Sequence, residues 1–292
     1  MQEPALNYTD MKTYLVPVDF SEAAFNAADF AARLSNQTNV ERIILLNAYY
    51  ISPYEELLPN ADMMMLREQE ILESLDERHA NLNKLKHKLE KLVRAGVQID
   101  VWVNRSHLIR AVVDRVEATD ADLVIIGSVG NSSGEGEGLG SHVIGISKAS
   151  PVPVVVIPPA FKYRTIERAI IACDFKKVKE NVPVEVLHKL LGKQHFDLLV
   201  VNIDAENKHV EEDPEQLAEE TALKSMLKVY KPTYHFVNSP DVISGLLNFA
   251  DEQNAEMVIA LPHRYSFFRS IIHSSISQQL ASSSPVPVLL LK

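Results

Sequence analysis

The 292-residue sequence predicts two tandem copies of a doubly wound α/β domain, each a parallel sheet with helices on both faces. Three observations carry this. Ser150-Pro-Val-Pro-Val-Val-Val-Ile157 recurs as Ser284-Pro-Val-Pro-Val-Leu-Leu-Leu291, and Ala121-Asp-Leu-Val-Ile125 as Ala255-Glu-Met-Val-Ile259, both at an offset of 134. Val18-Asp19-Phe20 recurs as Cys173-Asp174-Phe175 at an offset of 155, so the first copy holds 21 additional residues before Arg94. Within each copy, short apolar runs alternate with amphipathic segments, the pattern of parallel strands joined by helices.

The first copy is read element by element. Thr13–Val18 is a short apolar run and the first strand. Ser21 is an N-cap, and Ala24, Ala27, Ala28, Ala31 and Leu34 form the buried face of a helix reaching about Ser35. Ile43–Ala48 is the second strand. After a loop bounded by Pro53 and Pro59, a long helix is expected from Met63 to Ala95, with Ile71, Leu75, Leu82, Leu85, Leu89 and Leu92 on one face and Gly96 as its C′ residue. Val97–Val103 is the third strand, with Trp102 in the core, and His107–Ala118 the third helix. Leu123–Gly127 is the fourth strand. A glycine-rich loop then leads to a helix from Ser141 and a fifth strand, Val152–Ile157. The joint falls at Pro158-Pro159-Ala160-Phe161-Lys162, where paired prolines end a strand. Residues 1–10 are read as a tail, 11–159 as domain 1 and 160–292 as domain 2.

Composition narrows the function classes. A chain with 46% hydrophobic and 23% charged residues is globular. One cysteine makes no internal disulfide and no thiolate metal cluster, which points to a reducing compartment, the cytoplasm. The net charge of −10 divides into −8 over residues 1–160 and −2 over 161–292, a poor match to a nucleic-acid backbone. MQEPALNYTD has neither a basic n-region nor an apolar core, and no apolar run approaches the ~20 residues of a membrane helix.

In a doubly wound sheet, ligands sit beyond the C-terminal strand ends. Two features lie there: Pro17-Val18-Asp19-Phe20-Ser21, and Gly127-Ser-Val-Gly130 followed by nine residues and Gly140-Ser141. Glycines let backbone amides approach phosphate, and a helix start at Ser141 adds N–H donors. Asp19 offers a carboxylate to ribose hydroxyls. The G-x-x-x-x-G-K-[ST] loop and the G-x-G-x-x-G fingerprint are both missing.

The spacing Gly, two residues, Gly, nine residues, Gly, Ser, with V-P-V-D-F-S at the start and S-P-V-P-V-V-V-I at the end, resembles the universal stress protein family, and the likeness covers each half from end to end. The resemblance implies a five-stranded sheet in order 3-2-1-4-5 and a stress-response protein that binds ATP or a related adenine nucleotide, with or without Mg. By that resemblance Pro17, Val18, Asp19 and Ala48 surround adenine and ribose, and Ile126, Gly127, Gly130, Gly140, Ser141 and His142 line the phosphates. Two positions depart from the family pattern. Glu135 and Glu137 sit inside the loop, and His142 stands where a small aliphatic residue is common.

The second copy keeps Asp174 but has Leu261, Arg264, Ser274 and Ser275 where the first has Gly127, Gly130, Gly140 and Ser141, so nucleotide is expected in domain 1 only. Its aromatic, basic loop, Pro262 to His273, reads as packing. Alternatives are a pocket for an anionic ligand at Arg264 and Arg269, or a metal site using His263, His273 and Asp174. Cys173 reads as core. In the implied strand order Val152–Ile157 and Val286–Leu291 are apolar edges marked by Pro151, Pro153, Pro285 and Pro287, and the expectation is that they pair with each other as an intramolecular pseudo-dimer. A homo-dimer of the tandem chain and an unidentified protein partner stay open. No catalytic residues are assigned. The alternative function is a stress scaffold without nucleotide, and slow ATP hydrolysis ranks last.

Overall fold

The computed structural model describes residues 12–51, 61–128, 141–175, 177–191, 196–204, 214–261 and 284–291. Within them ten strands join in one sheet, in the order β3-β2-β1-β4-β5-β10-β9-β6-β7-β8. The first half contributes β1 (Thr13–Pro17), β2 (Arg42–Ala48), β3 (Gln98–Asn104), β4 (Leu123–Gly127) and β5 (Val154–Ile157). The second contributes β6 (Arg168–Ala172), β7 (Asp197–Asp204), β8 (Thr233–Asn238), β9 (Met257–Ala260) and β10 (Val288–Leu290). Each half therefore has the order 3-2-1-4-5 that the resemblance implies. Pairing is parallel throughout except at the join, where β5 meets β10 antiparallel with Val156 opposite Val288 and Val154 opposite Leu290. The pseudo-dimer through the last strands is thus present as a continuous sheet.

The repeated Ser-Pro-Val-Pro segment has a local reason. Ser150 Oγ accepts from Val152 N–H (3.2 Å) and donates to the Val152 carbonyl (2.7 Å), and Ser284 makes the same turn with Val286 (3.3 and 2.7 Å). The carbonyls of Pro153 and Pro287 then accept from Val124 and Val258, each at 3.0 Å. The strands begin after the second proline rather than at Val152 and Val286, because proline supplies no N–H to the ladder.

Helices cover the sheet in an order set by burial. On one face of the first half lie α1 (Glu22–Leu34) and α2 (Ala61–Leu89), and on the other α3 (Leu108–Thr119) and α4 (Ser141–Ala149). Ser21 caps α1 by accepting from Ala24 N–H at 3.2 Å. The buried side of α1 is almost all alanine, which lets it sit close to the strands. The long helix is shorter at its end than expected: α2 stops at Leu89, Leu92 is half-buried in the turn that follows, and Gly96 (φ +90°) takes the left-handed turn before β3. Leu82, Leu85 and Leu89 are buried, while Leu72 and Met65 are exposed, so the first half of α2 stands off the sheet.

Trp102 is a correction to the sequence reading. It is 40% exposed, because β3 is the outermost of the described strands and none of them pairs with its other edge. The Arg115 guanidinium lies 3.6 Å from the ring centroid and covers its face instead of a core.

In the second half, β6 is followed by a broken helix, α5 (Val178–Asn181) and α6 (Val184–Leu191), with Pro183 at the break. α7 (Pro214–Met226) and α8 (Val242–Glu252) complete the described α-helices, with a 3-10 turn at Lys228–Tyr230 between them. The linker is strapped to α1. Asn26 donates its amide to the carbonyls of Pro158 (3.0 Å) and Phe161 (2.8 Å). Gln37 Oε1 accepts from Tyr163 Oη–H (2.5 Å) and Ile166 N–H (2.9 Å), and Phe30 meets Phe161 and Tyr163 edge-on. Lys189 of α6 reaches Asp122 at the foot of β4, an ion pair between the halves.

Candidate functional site

The C-terminal ends of β1, β2 and β4 are adjacent, because β1 pairs with both of the others. That adjacency brings together Pro17 from β1 with Val18 and Asp19 just after it, Ala48 from β2, and Ile126 and Gly127 from β4. Pro17, Val18, Ile126 and Gly127 are buried, and Asp19 and Ala48 are half-buried at the rim. Ser141 opens α4, and His142 is exposed on its first turn. Gly130, Gly140, Glu135 and Glu137 lie outside the described residues.

The turn holding Asp19 is built from its own side chains. Asp19 Oδ1 accepts from Ser21 N–H at 3.0 Å and from the Ser21 hydroxyl at 2.5 Å. Phe20 between them takes a left-handed φ of 63°, a conformation costly for a bulky residue and held by its surroundings. Phe175 repeats it at φ 51°.

Asn47 is a site residue that the sequence reading missed. Its amide, buried at 2% exposure, donates to the Val18 carbonyl at 2.7 Å, and Arg78 of α2 donates to its oxygen at 3.0 Å. Arg78 also lies over the Tyr49 ring, 4.8 Å from the centroid. In the second half Asn202 donates to the Cys173 carbonyl at 2.9 Å. Asn47 and Asn202 are 155 residues apart, the same offset as Asp19 and Asp174, so this signal was present in the repeat. The amide clamps the end of the first strand to the second and fixes where the acidic residue stands.

Gly127 has a packing role besides any contact with ligand. A Cβ built on it would lie 2.6 Å from the Ala23 carbonyl oxygen and 2.7 Å from the Ala23 carbonyl carbon. The start of α1 therefore closes over β4 only if residue 127 lacks a side chain. At the matching place in the second half, Leu261 is buried at 3% exposure, and the helix after β6 is the broken α5–α6 pair. The next residue in the first half, Ser128, is 1% exposed, and its hydroxyl has no hydrogen-bond partner among the described residues.

Cys173 is buried, as expected for a core thiol, and burial pushes its pKa up to about 12. No group of three or more His, Cys, Asp or Glu is arranged to hold a metal among the described residues. Arg264, Arg269, His263, His273, Ser274 and Ser275 lie outside those residues. No described helix is long and apolar enough to cross a membrane.

A doubled parallel α/β sheet with an acidic residue and a buried glycine at neighbouring strand ends defines a tandem protein of the doubly wound class. The model of the Universal stress protein family matches residues 11–158 and 178–292, and the chain belongs to that family. Among solved structures, a universal stress protein from Archaeoglobus fulgidus is 19% identical with a TM-score of 0.60, aligning over 98% of this chain and 97% of that one. A protein of unknown function from Pseudomonas aeruginosa is 12% identical with a TM-score of 0.60 over 97% and 92% of the two chains. These likenesses show the same fold across both halves. No curated protein sequence matches the chain significantly.

Proposed function

We propose that the first half, residues 11–159, binds ATP or a related adenine nucleotide, and that the protein acts in a cytoplasmic stress response by binding rather than by catalysis. The observation that carries the reading is the juxtaposition of Asp19 and Gly127 on adjacent strand ends, with α4 opening at Ser141 after the Gly-x2-Gly-x9-Gly-Ser spacing. The buried Ser128 hydroxyl at the root of that loop supports it as a further polar group beside the phosphate path. Pro17, Val18 and Ala48 would hold the base, Asp19 the ribose. Ile126, Gly127, Gly130, Gly140, Ser141 and His142 would line the phosphates, mainly through backbone N–H groups. Mg enters this reading only as a companion of the phosphates. In residues 160–292, Leu261 occupies the place that glycine holds in the first half, so that half takes no nucleotide in this reading.

Glu135 and Glu137 favour a second reading, a scaffold without nucleotide, since two carboxylates in a phosphate loop oppose the charge of the ligand. The melting temperature with and without millimolar ATP separates the two. A rise that Gly140→Val abolishes supports the nucleotide; no rise rejects it. Mass analysis of the small molecules released on denaturation identifies what the purified protein carries.

A further inference from the structure

A second cleft opens between α1 and α2 and reaches Phe20, next to Asp19 in the turn after β1. It has a volume of about 640 Å³, within the range of small-molecule sites. Its floor is Phe20, Phe25, Leu85, Leu89 and Leu92. Phe25 is 40% exposed although it points into this cleft, leaving an aromatic face uncovered beside the leucines.

The charges of the rim that lack an ion-pair partner among the described residues lie on one side. Lys84 and Lys88 stand one turn apart on α2, both exposed, and neither has an ion-pair or hydrogen-bond partner among the described residues. Like charges at this spacing repel each other on a helix. On the opposite wall Asp29 is already paired with Arg33 at 2.8 Å, and the Asn26 amide is committed to the linker. Residues 1–160 carry a net −8, yet two unpaired ammonium groups face an apolar cleft there. An inorganic anion would leave the floor unmatched, and a neutral apolar molecule would leave the lysines unmatched. From Asn81 to Leu89 the wall runs about 12 Å at 1.5 Å per residue.

We propose that the α1–α2 cleft binds a medium-chain aliphatic carboxylate, with its chain on Phe20, Phe25, Leu85 and Leu89 and its carboxylate between Lys84 and Lys88. The inference does not rest on the nucleotide reading, although Phe20 adjoins Asp19.

The test is titration of the full chain with octanoate, decanoate and dodecanoate by calorimetry, each kept below its micelle concentration. Affinity is expected to rise about fourfold per added methylene, the effect of burying one CH₂. The double variant Lys84→Gln/Lys88→Gln is expected to bind decanoate at least tenfold more weakly and 1-decanol as before. Phe25→Asp should weaken both ligands. Lys148→Gln, an exposed lysine on another helix, should change neither. The replaced side chains are exposed, so unchanged urea midpoints verify folding. No saturable decanoate binding, affinity independent of chain length, or equal decanoate binding by the double variant would each overturn the proposal. Binding of an acidic peptide in place of all three carboxylates would also overturn it.

Discussion

Replacing Gly127 with alanine separates packing from ligand binding at the strand end. The added Cβ would meet the Ala23 carbonyl oxygen at 2.6 Å, its carbon at 2.7 Å and its Cβ at 2.9 Å. The first two atoms are backbone and cannot swing away, so the start of α1 must move. Overpacking of this kind costs about 1–3 kcal/mol, and rigid backbone on both sides puts Gly127→Ala near the upper end. With a urea m-value of about 2 kcal/mol/M, a cost of about 3 kcal/mol should lower the unfolding midpoint by about 1.5 M, with no ligand present. The moving segment carries the Ser21 cap and the hydrogen bonds from Ser21 to Asp19, so any nucleotide affinity should fall with it. Circular dichroism against urea reads the first effect and titration with nucleotide the second. A variant that unfolds at the wild-type midpoint would refute the argument that α1 needs a bare backbone at residue 127.

Two other outcomes follow from the same structure. Asn47→Ala leaves the Val18 carbonyl without its Asn47 donor and Arg78 with only the Ser74 hydroxyl, and should cost about 2–3 kcal/mol in urea unfolding; a loss below about 0.5 kcal/mol would deny the clamp. At alkaline pH, burial pushes Cys173, Tyr163 and Tyr234 up to about 12 and raises Tyr14 as well, so the folded chain holds protons that the unfolded chain releases from about pH 9 to 10. Stability from these groups is complete below that range and is lost as pH rises toward 12. Urea midpoints measured from pH 8 to 11 should therefore fall steadily above pH 9, and a flat profile would contradict the burial of these groups.

The doubling of the fold was readable because a repeat needs no knowledge of distances. The same offsets that align the Ser-Pro-Val-Pro segments also align Asn47 with Asn202, yet a lone asparagine in a strand gives no hint of the carbonyl it will meet. Trp102 misled because an apolar alternation states that a residue suits a sheet, not whether its strand has neighbours on both sides. α2 misled at its end for a similar reason: leucines at helical spacing continue to Leu92, while the turn that returns the chain to β3 is set by Gly96 and by the width of the sheet. The purpose of Gly127 was only half visible. Its place in a loop motif was plain in the letters, but its contact with Ala23, more than a hundred residues away, exists only once α1 has folded onto β4.

The seam between β5 and β10 has a kinetic consequence. Its ladder spans three residue pairs and is bounded by prolines that lack N–H groups, so it is a short contact in itself. The linker strapped by Asn26 and Gln37 keeps the two strands of one chain within reach of each other. Closure of the seam is therefore a first-order event governed by effective concentration rather than by the amount of protein in solution. The halves should stay paired at dilutions where two separate subunits joined by the same strands would drift apart.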